Sequence, residues 1–316
     1  MSSQRKLPLK RRILYISIIY FGFLMLLLAI EGVTRLTQPH VNSLDIFVNT
    51  TQQRAQIATL QQAAIFEGDP LLLWRLKPNL NRVVWDFTVV STNAKGLRGD
   101  YALKPKTTGT IRIVCLGDSV TFGYRVPPVW PERPNDYDPT WLPYPMLLEK
   151  YLRMANPGKQ IEVISMAVPG YTSHQGVAWL RHDIDQLRPD LLTVSFGWND
   201  ASLSDTPDRE TIRTEWYAVA VCWLIDHSQA FAHATKWLRS SGSSPDPIPS
   251  TPVPRVSADE YLQNMNVIVR VAHERGASVL VIGAPYRDRV TNPLEAELMI
   301  HYRSALRSAM KQKGID

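Results

Sequence analysis

A chain of 316 residues with 45% hydrophobic and 20% charged residues is long enough to bury a large core and has the balance of a globular protein, not a disordered one. Its net charge of +6 is dispersed, apart from Arg5, Lys6, Lys10, Arg11 and Arg12 near the start. No basic stripe with interleaved aromatics occurs, which argues against nucleic acid as a partner. Two cysteines, Cys115 and Cys222, cannot form a disulfide framework, and without a C-x-x-C or H-E-x-x-H pattern the chain implies no metal site and no cofactor.

The first element is membrane-directed. Ile13 to Ile30 is an almost unbroken apolar stretch with no charge, about 27 Å long as a helix and close to a bilayer's hydrocarbon thickness. A secretory signal would have a shorter apolar core and then a small-x-small cleavage site. Glu31, Gly32, Val33, Thr34 and Arg35 supply none. The basic cluster before the run predicts a cytoplasmic N-terminus, with the chain from about residue 32 onward outside the cytoplasm. The expected organisation is a basic cytoplasmic tail over 1–12, a single transmembrane anchor over 13–31, a stalk and β-rich leader over 32–109, and an α/β domain over 110–316.

Within the leader, 32–65 is polar and helix-compatible, and Leu71–Val90 reads as short strands and turns at the border of the main domain. Asn93–Gly99 is rich in turn residues. Strands then alternate with helices: Ile111–Leu116, a helix over Tyr144–Met154, a strand over Ile161–Met166 and a helix over Ser173–Leu187. There follow a strand over Pro189–Phe196, a helix over Ser257–Arg275 with a Ser257/Glu260 capping box, a strand over Ser278–Gly283 and a helix over Glu295–Lys313. Continuous apolar strands alternating with helices predict a parallel sheet covered on both faces, with ligands at the strands' carboxyl ends. Insertions at 127–143 and 203–255 follow strand ends and read either as lids or substrate-shaping elements or, equally, as inert surface insertions. The 217–225 part of the second is apolar enough to touch a membrane surface and too short to span one.

Three turns after successive strands carry chemistry. Gly117–Asp118–Ser119 places a serine hydroxyl at a strand's carboxyl end, where a base could activate it. Val168–Pro169–Gly170–Tyr171 offers a backbone N–H that can approach a ligand closely. Gly197–Trp198–Asn199–Asp200 adds a side-chain amide able to donate to an oxyanion. Each alone is an ordinary turn; together, at the ends of one sheet, they make a site.

The blocks L-G-D-S-V-T-F-G, A-V-P-G-Y-T-S and F-G-W-N-D, in this order, resemble the SGNH or GDSL hydrolases, from about Arg112 to Ile315. The stretch L-K-P-N … T-N-A-K-G-L-R-G resembles the leader of membrane-anchored bacterial members. The resemblance implies a flavodoxin-like three-layer α/β/α fold and a serine esterase or deacylase acting on acylated small molecules, glycans or lipids. It makes Ser119 the nucleophile and places the N–H groups of Ser119 and Gly170 with the Asn199 side chain in the oxyanion hole. Asp118 and Asp200 would support them, Asp200 by orienting the Asn199 turn.

The family's D-x-x-H block, which supplies the general base, does not occur after Ser119, so the chain reads as an incomplete product. Among its own histidines, His174 is the best placed to substitute as base. The same serine could transfer its acyl group to a sugar hydroxyl, making an O-acyltransferase. Without a base the domain would be a catalytically dead, membrane-tethered binding module. No feature specifies an oligomeric state.

Overall fold

The computed structural model describes residues 8–47, 65–69, 71–86, 88–126, 141–204, 207–211, 218–242, 252–284 and 293–312. Most of the basic tail, residues 48–64 of the expected stalk, most of the 127–143 insertion and most of the Ser/Pro linker at 240–254 lie outside these. Helix α1 (Leu9–Thr37) has no buried residue, and its apolar side chains leave no polar face. By length and composition it is a candidate membrane span. It is followed by the short α2 (Ser43–Phe47), the antiparallel pair β1 (Phe66–Asp69) and β2 (Leu73–Leu76), and a second pair, β3 (Val83–Trp85) and β4 (Thr88–Val90).

The main domain runs β5 (Thr110–Gly117), α3 (Ser119–Phe122), α4 (Tyr144–Ala155), β6 (Gln160–Ala167), α5 (Ser173–Leu187), β7 (Leu191–Ser195) and α6 (Trp198–Ala201). It continues through β8 (Leu203–Ser204), α7 (Asp208–Thr211), α8 (Ala218–His227), α9 (Gln229–Gly242), β9 (Val253–Pro254), α10 (Ala258–Glu274), β10 (Ser278–Val281) and α11 (Pro293–Gln312). The central sheet has the order β10-β7-β5-β6, and every pairing in it is parallel. Side chains alternate across it. Val114, Leu116, Ile164 and Met166 join Ile184 of α5 and Ile268 of α10 in the main core. Ile113, Cys115, Ile161 and Val163 face the other way, under Leu148 and Leu152 of α4. With both faces covered, the sheet forms the expected three-layer α/β/α arrangement. Among the described residues neither Cys115 in the sheet nor Cys222 in α8 is in a disulfide.

Two of the long helices start where side chains can cap them. Thr172 and Gln175 make a reciprocal capping box at α5, and Ser257 Oγ accepts from the Glu260 N–H at α10. The second insertion is pinned at its ends, where β8 pairs with β9. Its helical part departs from the lid expectation. Ile225 of α8 and Ala232 of α9 are fully buried against Val41 and Ile46, in a small core separate from the main one. The apolar face of this hairpin finds its cover in the segment that follows α1.

Candidate active site

Strands β5, β6 and β7 end level: Gly117 aligns with Ala167 on one side and with Ser195 on the other. The turns after them therefore leave from one edge, and the Val168 N–H reaches back to Gly117 O at 3.4 Å. A side chain at Gly117 would collide with Thr121 and lie 2.8 Å from Ser195 O, so only glycine lets α3 fold back over the strand end. Asp118 caps α3, its Oδ1 accepting from the Val120 N–H at 2.9 Å. Ser119, half-buried, opens the helix. Gly170 sits at φ +84, a left-handed conformation that favours glycine.

Asn199 joins the three turns. Its Nδ2 donates to Tyr171 O at 2.9 Å and stands 3.5 Å from Asp118 Oδ2. The second separation is too long for a strong bond, which leaves one amide hydrogen for a ligand. Among the described residues the N–H groups of Ser119 and Gly170 also make no hydrogen bond. Two unspent N–H groups and one weakly engaged amide hydrogen thus stand on three adjacent turns, the provision an oxyanion requires.

The two aspartates are buried behind this edge. Asp200 Oδ1 accepts from both the N–H and the hydroxyl of Ser173, and its carbonyl accepts from the Val256 N–H at 3.1 Å. It thereby ties the Asn199 turn to the start of α5 and to the strap before α10. Burial, together with repulsion from Asp200, pushes the Asp118 carboxyl up to about 7. Burial lifts Asp200 to about 6.

The Asp118 shift has a testable sign. An unfolded aspartate titrates near about 3.9, so between there and about 7 the folded protein holds a proton that the unfolded chain has released. The stability contribution is complete below about pH 4, falls as pH rises to about 7 and is level above it. Asp118→Asn keeps the cap and mimics the protonated acid. It is expected to raise Tm at pH 8 and leave it unchanged at pH 4; equal shifts at both pH values in thermal melts would overturn this assignment.

His174, at the start of α5, lies at the strand-end face, but its Nδ1 is 3.0 Å from Glu260 Oε1. Arg209 approaches the other oxygen of that carboxylate at 3.4 Å. No hydrogen bond joins His174 to Ser119 among the described residues. His182 pairs with Asp183, His227 with Trp223 O, and His233 with Pro39 O.

Several residues outside the three turns also shape the site. Arg255, 1% exposed, forks onto the fully buried Asp208 with bonds of 3.0 and 2.9 Å, and its third nitrogen donates to Gly170 O at 2.7 Å. Asp208 also accepts from Thr172 Oγ1 at 2.7 Å. From the leader, Trp74 Nε1 donates to Pro169 O at 3.2 Å, and the Tyr171 hydroxyl returns a bond to Trp74 O. Arg98 donates to the carbonyls of Phe122, Gly123 and Val126 behind the serine turn. The leader is therefore part of the site's support.

The GDSL-like Lipase/Acylhydrolase family matches residues 115–312 of this chain. Similar solved structures include a catalytic mutant of Axe2, an acetylxylan esterase from Geobacillus stearothermophilus, at 15% identity, with 65% of this chain and 74% of that one covered and a TM-score of 0.40. The lipase/acylhydrolase from Enterococcus faecalis is 18% identical, with 65% and 73% covered and a TM-score of 0.37. LAE5, an alpha/beta hydrolase enzyme from the metagenome of Lake Arreo, Spain, is 16% identical, with 65% and 74% covered and a TM-score of 0.39. No curated protein matches the chain. With three ordered strand-end turns and a family match over more than half of its length, the chain belongs to the GDSL-like lipase/acylhydrolase family, the SGNH hydrolases.

Proposed function

We propose that the protein is a membrane-tethered serine esterase or deacylase that cleaves acyl esters of glycans or lipids outside the cytoplasm. The observation that carries the reading is the convergence of Ser119, Gly170 and Asn199 at one sheet edge, with the first two N–H groups unbonded among the described residues and one Asn199 amide hydrogen only weakly engaged. Ser119 Oγ gives its proton to a base and attacks the acyl carbonyl. The carbonyl π electrons move onto the oxygen, which the N–H groups of Ser119 and Gly170 and the Asn199 amide stabilise. Collapse expels the alcohol, which takes up a proton, and leaves an acyl-serine; water then releases the acid and restores Ser119. Asp118 and Asp200 position the donors and touch no reacting atom.

Tethering is supported by α1, and by Glu31 in its last turns. That carboxylate accepts from Ser228 Oγ at 2.8 Å and from the Gln229 and Ala230 N–H groups at 3.0 Å each. A helix end that caps an element of the folded domain is suited to staying attached to it. The basic residues before α1 support a cytoplasmic N-terminus.

Treatment of the full chain with a fluorophosphonate probe tests the site. The expected result is one covalent adduct, located by peptide mass spectrometry on Ser119, with labelling suppressed by a short acyl ester. A folded protein that takes no label would favour the binding-module reading. Adding a polysaccharide during turnover separates hydrolysis from transfer: acyl groups recovered on sugar hydroxyls would make the protein an O-acyltransferase.

A further inference from the structure

The hairpin α8–α9 turns at Ser228, and that turn is fastened to the base of α1. Besides the Glu31 cap, Arg35 Nη2 donates to His227 O at 3.0 Å, and Gln229 exchanges two bonds with Val41 at 2.8 and 2.9 Å. Asp226 accepts from the N–H and hydroxyl of Ser43 at 2.8 and 2.9 Å. Glu31 is the first charge after the apolar stretch ending at Ile30, so the hairpin's tip lies level with the end of the span.

The outward face of α8 at this tip presents Trp223 and Leu224, with His227 and Asp226 also exposed toward its end. Trp223 is 59% exposed and Leu224 38% exposed, while the opposite face, Cys222 and Ile225, is buried. The Trp223 ring stacks on His227, with centroids 4.3 Å apart and planes 16° from parallel. Trp223 precedes Ser228 by about 7.5 Å of helix rise, within the side-chain reach of an interfacial layer about 5–7 Å deep. An amphipathic ring with an apolar body and a polar N–H is the side chain favoured at that depth.

We propose that the tip of the α8–α9 hairpin is a membrane contact, with Trp223 and Leu224 seated at the lipid headgroup level beside the exit of α1. The inference rests on the reading of α1 as an uncleaved anchor. The occupant is the bilayer itself, because the turn beside this face is fastened to the end of the span. Two attachments, one spanning and one interfacial, fix the orientation of the domain where one alone would let it swing.

Residues 13–30 contain no tryptophan, so any tryptophan quenched by acyl-chain bromine belongs to the rest of the chain. The full chain is reconstituted in phosphatidylcholine vesicles with and without lipids brominated near the headgroup end of one acyl chain. The expected result is quenching that falls by at least half in Trp223→Phe, with Tm unchanged. A chain that floats with the vesicles and resists alkaline extraction, yet shows no quenching or quenching that Trp223→Phe leaves intact, would overturn the contact. Recovery of the chain in the alkaline supernatant would overturn the anchor, and the contact with it, by a readout independent of fluorescence.

Discussion

Ser119→Ala will lower kcat/KM on a short acyl ester by about 10⁴-fold or more and abolish covalent labelling, while leaving Tm within about a degree. The loss is large because alanine offers no atom to hold the acyl group, and water, unlike Ser119, is not held against the carbonyl. Stability is spared because Ser119 Oγ makes no hydrogen bond among the described residues, whereas Asp118 beside it carries the helix cap. A fall of less than tenfold would remove Ser119 from the reaction. His174→Ala is the informative companion. Its ring is bonded to Glu260 at 3.0 Å and not to Ser119, so the expected fall is under tenfold. A thousandfold loss would make His174 the base.

The sheet was legible because its signals are local. Strand β5 is a run of β-branched and apolar residues stopped by Gly117, and α5 spans the same Ser173–Leu187 stretch that the sequence reads as a helix. The serine, glycine and asparagine turns were legible for the same reason: each follows its strand directly, and the parallel register brings the three together. What escaped the sequence is long-range. Arg255 meets Asp208 across 47 residues and Gly170 across 85. Trp74 meets Pro169 across 95. Single arginines and tryptophans outside any motif do not announce such partners. The hairpin misled for a related reason: its spacing showed an apolar face but not that Val41 and Ile46 would cover it. A lid over the site and a buttress at the base of α1 have the same amphipathic pattern.

The second large effect is expected at Arg255. This guanidinium is the cation for the fully buried Asp208 and the donor to Gly170 O. Arg255→Met strands a buried carboxylate, and breaking such a pair costs about 3–5 kcal/mol, a loss visible as a marked fall in Tm. Stability alone does not define the residue's role, so the decisive variant removes both charges. Asp208→Leu with Arg255→Met should recover most of the lost stability, because a well-packed apolar pair of similar volume can replace a buried ion pair. Turnover should not follow. The Gly170 carbonyl still lacks its donor, so among the described residues its peptide is held only by the Tyr171 N–H on Val168 O at 3.3 Å, and the Gly170 N–H, one Cα away, is aimed less firmly at the oxyanion. The expected residue of the defect is a kcat lowered by about 10²-fold with KM little changed, the pattern of an interaction realised in the transition state. Recovery of both Tm and kcat in the double variant would reduce Arg255 to a structural ion pair. Recovery of Tm alone would establish it as the residue that positions the Gly170 turn, held by an insertion whose two ends it also clasps.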